Sequence, residues 1–191
     1  GDFVAIFDRY YFSAVLFAED RKSIHLSRIA ERINVDGQLN EPCWQGTEIA
    51  SDFLQNTPVA GAPASRQTEV RVVFDNQAIY IGAFLADDKD SITRTLSQRD
   101  DVGNADWFGV IFDSYNAGTI GFSFIVTSAG VQVDELHKVD DVDPNWNAVW
   151  QSAVSVQDKG WIAELKIPFS ALRFPKESEQ TWGINFSRNI R

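Results

Sequence analysis

Methionine is absent from this 191-residue chain, and the sequence holds one cysteine and two histidines. The lone thiol, Cys43, rules out an internal disulfide. It leaves the redox compartment open, because a chain of this length buries a core without a covalent staple. Without methionine there is no Met/His ligation of haem. Bis-His ligation would need His25 and His137 to face one pocket, so haem is not expected. Basic residues are also in the minority. Lys and Arg number 17 against 27 Asp and Glu, a formal net charge of −10. Nucleic acid is therefore excluded as a partner, since affinity for it rests on cationic side chains that release counterions. An anionic membrane surface is disfavoured on the same ground.

No apolar run reaches the ~18–20 residues of a membrane-spanning helix. Residues 10–18 (YYFSAVLFA) read either as the short hydrophobic region of a leader, with Ala18 as the cleavage point, or as part of an N-terminal arm. Residues 1–23 are accordingly set apart from a domain spanning 24–191. Catalytic signatures are missing too. The sequence has no G-x-S-x-G elbow, no phosphate loop and no H-E-x-x-H helix. The acidic pairs Asp87-Asp88 and Asp100-Asp101 and the run Asp140-Asp141-x-Asp143 lie in loop-like stretches. A glycosidase needs two carboxyl groups facing each other across a sugar, ~5–9.5 Å apart. Neighbouring aspartates usually solvate a turn instead, and the chain reads as non-catalytic.

What the sequence does hold is aromatic residues, 13% of the chain, with six Trp and fourteen Phe. They fall in short alternating segments with frequent turn signals. Residues 67–74 (QTEVRVVF) put Val70, Val72 and Phe74 on one face. Asp75-Asn76-Gln77 then turns the chain into residues 78–85 (AIYIGAFL), apolar on both faces and so central or covered. Further strands are read at 107–113, 120–127, 131–134, 148–156, 161–167 and 182–188. Pro168 ends the strand at 161–167, because it cannot donate to a ladder. Two short helices are expected. One spans 40–45, with Asn40 as cap and Pro42 in the first turn; the other spans 169–174. Residues 56–66 and 99–106 read as loops. Short strands at regular spacing mean an all-β sandwich or barrel.

Two sets of residues carry candidate chemistry. Trp146 and Trp150 follow one acidic loop and Trp107 follows another. An aromatic face stacks on the apolar face of a sugar ring while Asp, Asn and Arg take its hydroxyls. Trp146, beside Pro144 and Asn145, is the ring expected to be most exposed, and Arg99 and Asp101 are the polar partners. Trp44, Trp161 and Trp182 lie on regular elements and read as core. The second set is Asp140, Asp141, Asp143 and Asn145, an oxygen-rich run that could serve Ca²⁺, which takes six to eight oxygen ligands. His137 stands beside it as a further metal candidate. Glu164, between Ala163 and Leu165, reads as a partly buried acid paired with Arg173 or Arg188.

The order of several pieces carries a family resemblance. I-N-V-D-G-Q-L-N-E-P-C-W (33–44) resembles the opening of the family 9 carbohydrate-binding-module-like (DOMON-like) domains. T-E-V-R-V-V-F-D (68–75), A-I-Y-I-G-A (78–83), D-W-F-G-V-I-F-D (106–113), G-W-I-A-E-L-K-I-P-F (160–169) and W-G-I-N-F-S-R (182–188) follow in the family's order. R-D-D (99–101), D-x-x-W-x-x-V-W (143–150) and L-R-F-P (172–175) resemble the version that stands at the N-terminus of certain bacterial envelope proteins, ahead of a large β-barrel domain. The resemblance implies an all-β, two-sheet antiparallel β-sandwich of jelly-roll type that binds an oligosaccharide or polysaccharide. It implies a protein exported to the periplasm, outer membrane or surface of a Gram-negative cell. It also implies an alternative role, docking on the protein's own C-terminal β-barrel. In related modules of xylanases two tryptophans clamp a terminal sugar. The first clamp position falls near Gly103 here, a neighbouring Glu position falls at Gly109, and the second clamp position falls beyond Arg191.

Overall fold

The structure is a computed structural model that describes residues 3–7 and 22–191. The leader-like segment 10–18 lies outside the described residues. Twelve strands follow in chain order among those described: β1 (Phe3–Phe7), β2 (Lys22–Arg28), β3 (Ile49–Ala50), β4 (Thr68–Phe74), β5 (Ala78–Ala86), β6 (Trp107–Asp113), β7 (Ile120–Thr127), β8 (Gln132–Lys138), β9 (Asp141–Asp143), β10 (Gln151–Gln157), β11 (Gly160–Pro168) and β12 (Gln180–Asn189). Helix among the described residues is confined to one turn, α1 (Pro42–Gln45), and two 3-10 turns at Lys89–Ser91 and Phe169–Ala171.

The strands form two sheets. In the first, β10, β11, β5 and β4 are antiparallel neighbours, and β3 pairs with part of β4. The second runs β1-β12-β6-β7-β8-β9, antiparallel except where β1 meets β12. Strand β2 bridges them, antiparallel to β1 and parallel to the end of β4. This is the antiparallel-rich β-sandwich that the family resemblance implies. The two- and three-residue strands β3 and β9 went unread, because segments that short carry little period.

Alternation places the core. Val70, Val72 and Phe74 of β4 lie in register with Ala83, Ile81 and Ile79 of β5. Those in turn face Ala163, Leu165 and Ile167 of β11. Phe108, Val110 and Phe112 of β6 and Phe122, Phe124 and Val126 of β7 come from the other sheet, and all join one buried cluster. Trp44, Trp161 and Trp182 are buried as expected.

Strand β5 is apolar on both faces because it is central and also covered from outside. The segment 29–45 crosses the outer face of the first sheet and buries Ile33 and Trp44 against Val73, Ala78 and Tyr80. Gly82 makes the crossing possible. A Cβ there would stand 2.6 Å from Leu39 Cδ2 and 3.3 Å from Trp44 Cε3. Gly82→Val is therefore expected to cost about 1–3 kcal/mol through overpacking. An unchanged urea midpoint would contradict this close contact. Glu41, not Asn40, takes the N-cap position of α1. Its carboxylate is turned away from capping, accepting the Asn34 backbone N–H at 3.1 Å and the Trp44 indole N–H at 3.1 Å.

The Glu164 expectation needs correcting. Glu164 is fully buried, but no arginine among the described residues pairs with it. Its Oε2 accepts the backbone N–H groups of Asp36 and Gly37, both at 2.9 Å. Gly37 takes φ +81° in that turn, and a Cβ on it would press on the Val154 carbonyl carbon at 3.0 Å. The D-G turn is thus clamped onto β11 by a buried acid. Arg188 pairs instead with buried Asp87, Nη2 to Oδ2 at 2.9 Å. Arg173 is exposed, and its backbone carbonyl accepts the Ser114 hydroxyl.

Candidate functional site

Strand β8 alternates, and Gln132, Asp134 and Leu136 share one face. Asp134 lies in register with core Phe124 and is fully buried. A buried carboxylate needs several donors, and Asp134 has them. Arg99 Nη2 pairs with Oδ1, the Trp150 indole N–H donates to Oδ1 at 3.1 Å, and the Ala148 backbone N–H donates to Oδ2 at 2.6 Å. Gln132 adds a second hold, accepting from Arg99 Nη1 at 2.8 Å and donating to the Ser152 hydroxyl at 2.9 Å.

These bonds fix the crossover 144–150, which carries the chain from β9 in one sheet to β10 in the other. Strand β10 begins at Gln151 rather than at 148 because the Ala148 N–H is committed to Asp134 instead of to a ladder. Trp150 is buried, with its ring edge-on to Phe124 at 5.4 Å between centroids. It was expected to contact sugar, but both its ring and its N–H are already used, so it positions the crossover. Trp146 is half-buried. It rests on Phe122 and Phe124, with centroids 5.5 and 5.8 Å away, and presents the rest of its ring outward. The Arg99 side chain is 44% exposed beside Asp134.

The structure therefore gathers Trp150 and Arg99 on one carboxylate, with Trp146 on the same crossover, and engages the other two sugar candidates elsewhere. Asp101 organises its own loop, accepting the Gly103 N–H on Oδ1 at 2.8 Å and the Ser97 hydroxyl on its carbonyl. Trp107 lies on β6 one residue out of phase with core Phe108, so it faces the outside of the second sheet, where its ring approaches Gly109. Asp134 and Gln132 were missed. Their signal was a charged residue on the inward phase of the V-Q-V-D-E-L alternation.

The oxygen-rich run is strung out rather than gathered. Asp141 and Asp143 sit on β9, paired with Lys138 and Leu136 of β8, while Asp140 lies in the preceding turn. Asp143 Oδ1 accepts the Asn145 N–H at 3.0 Å. His137 Nε2 is 3.1 Å from Glu135 Oε2. Among the described residues no three His, Cys, Asp or Glu side chains form a group that could hold a metal ion.

The first clamp position and the neighbouring Glu position are both crowded glycines. Gly103 has φ +55° and a Cβ there would lie 2.9 Å from Ser97 Cβ; at Gly109 it would lie 2.9 Å from Ile125 Cγ1.

A two-sheet sandwich with an aromatic ring and an arginine at its rim defines the class: a β-sandwich of the carbohydrate-binding-module type. The family model described as carbohydrate family 9 binding domain-like matches residues 35–190, and the chain belongs to that family. Among solved structures, it is similar to a carbohydrate binding module family 9 from Caldicellulosiruptor kristjanssonii in complex with glucose. That likeness has a TM-score of 0.62 and 14% identity, covering 86% of this chain and 76% of that one. The same organism's module in complex with cellotriose gives a TM-score of 0.61 and 13% identity over 86% and 75%. A comparison with curated proteins finds no match.

Proposed function

We propose that this domain is a non-catalytic carbohydrate-binding module of an exported bacterial protein, and that it takes an oligosaccharide at the rim formed by Trp146 and Arg99. The observation that carries this reading is the half-buried Trp146 ring, backed by Phe122 and Phe124 on a crossover held by the same buried Asp134 that anchors Arg99. A backed ring loses little conformational freedom when a sugar stacks on it. Arg99 then offers N–H donors to ring hydroxyls. Family membership supports the sugar, as do the glucose and cellotriose held by the two structural neighbours.

Trp146→Ala is expected to weaken cellotriose binding about tenfold or more, while Trp107→Ala leaves it unchanged. Calorimetric titration checks this, and equal losses in both variants would remove Trp146 from the site. Curves with calcium and with a chelator are expected to overlay, because the acidic run does not converge.

A second reading is docking on the C-terminal β-barrel of the parent protein. Two exposed apolar residues favour it: Val149, 88% exposed, between Ala148 and Trp150, and Leu96, 76% exposed, just before Arg99. Co-purification of this domain with the remainder of its chain, lost in a Leu96→Ser/Val149→Ser variant, would establish that role.

A further inference from the structure

A cleft of about 780 Å³ opens where β2 ends, beside the β4–β5 turn and β11, and shares no residue with the Trp146 rim. Arg28, Arg32 and Lys166 line it, together with Asp75, Asn76 and Tyr80. Three cations in one cleft stand out in a chain of net charge −10. Some basic side chains elsewhere find carboxylates, as Lys22 does on Asp52, Arg66 on Asp87 and Asp88, and Arg99 on Asp134. Arg28, Arg32 and Lys166 have no ion-pair partner among the described residues.

The carboxylates at the cleft are spoken for. Asp75 Oδ1 accepts the backbone N–H groups of Gln77 and Ala78 at 2.7 and 2.8 Å, and its Oδ2 accepts the Tyr80 hydroxyl at 2.8 Å. Glu31 is the hydrogen-bond partner of the Cys43 thiol. The cations are fixed from below. Lys166 lies in register with buried Tyr80, its Nζ 5.4 Å from the ring centroid, and the Arg28 guanidinium donates to Asn76 Oδ1. Arg28 and Lys166 thus sit on strands β2 and β11 and Arg32 lies in the segment that follows β2; Lys166 acts on Asp75 electrostatically, and none of the three cations is within ion-pair distance of a carboxylate among the described residues.

The geometry points to a second ligand site here, one that takes the carboxylate of an acidic saccharide such as a uronic-acid oligomer. A guanidinium matches a planar carboxylate through two parallel N–H donors, and an ammonium adds a point charge. The volume suits a few sugar units rather than a lone ion. The choice of a saccharide, rather than another carboxylate, rests on the binding-module reading above.

The test is calorimetry on the whole chain with trigalacturonate, cellotriose and inorganic sulfate as separate titrants. Trigalacturonate is expected to bind, and more weakly at high salt. Arg32→Ala and Lys166→Gln each lower its affinity about tenfold while leaving cellotriose binding at its wild-type value. Arg32 is exposed, and Lys166→Gln keeps an unbranched stem over Tyr80, so both variants are expected to fold. Trigalacturonate affinity that neither substitution changes would overturn the site. Sulfate binding as tightly as trigalacturonate would overturn the saccharide as its ligand. If trigalacturonate binds and cellotriose does not, this site stands while the Trp146 reading falls.

Discussion

Asp134→Ala is expected to destabilise the domain by about 3 kcal/mol and to abolish sugar binding at the Trp146 rim. Truncation leaves the Trp150 indole N–H and the Ala148 backbone N–H without an acceptor, and buried donors so stranded cost about 1–3 kcal/mol each. Arg99 contributes less to the loss, because its side chain is 44% exposed and turns to water. At this chain length the deficit corresponds to a fall in Tm of about 6–12 °C. Asp134→Asn should lie between. Its amide oxygen still serves one side of the site, while its NH₂ faces a donor on the other. The same bonds carry a functional consequence. The crossover 144–150 loses its anchor, so Trp146 loses its fixed pose even though it is untouched. Tm and cellotriose affinity measured together check this, and an Ala variant that keeps both would show that Asp134 does not organise the rim.

Glu164 gives the second large effect, and this one depends on pH. Burial pushes its carboxyl up from the usual 4.5 to about 7, against the downward pull of the Gly37 and Asp36 N–H groups. The folded state therefore holds a proton that the unfolded chain releases near pH 4.5. By linkage this group's stabilisation is complete below pH 4.5, declines as pH rises towards about 7, and is gone above it. Glu164→Gln keeps an oxygen for the two N–H groups and cannot ionise. The difference in stability between variant and wild type should then move in the variant's favour between pH 4.5 and 7 and level off above. Glu164→Ala strands both N–H groups and should cost about 2–5 kcal/mol below pH 4.5, a cost that shrinks as pH rises towards about 7 because the wild type weakens. Urea titrations at about pH 4.5, 6 and 8 distinguish these outcomes. Parallel pH profiles for wild type and the Gln variant would mean that Glu164 does not titrate in this range.

Most of the sandwich was legible in the sequence because its central strands carry strong period. Trp107–Asp113 and Ile120–Thr127 are aromatic-rich apolar runs bounded by turn signals, and both strands form with those bounds. The hairpin of β4 and β5 was readable from the Asp75 turn, whose side chain caps two backbone N–H groups. The site was less legible, for a physical reason. Which face of a Trp is free depends on contacts distant in sequence. Trp146 and Trp150 both follow the acidic loop, yet only Trp150 has its indole N–H on the buried carboxylate of β8. Trp107 was grouped with them by proximity to another acidic loop, and strand phase turned it to the outside of the second sheet. Glu164 shows the same limit. A lone acid among apolar neighbours predicts burial, but its partners proved to be two backbone N–H groups more than a hundred residues away in sequence rather than an arginine.

The central claim is that the domain binds an oligosaccharide through Trp146. Titrating cellotriose into the wild-type chain and the Trp146→Ala variant, with intrinsic Trp fluorescence and calorimetry read on the same samples, tests it most directly. The account predicts a saturable signal in the wild type and about tenfold or greater weakening in a variant that remains folded. A folded wild-type protein that shows no saturable response to cellotriose or to other neutral oligosaccharides would contradict the claim and leave docking on the parent protein as the role of this rim.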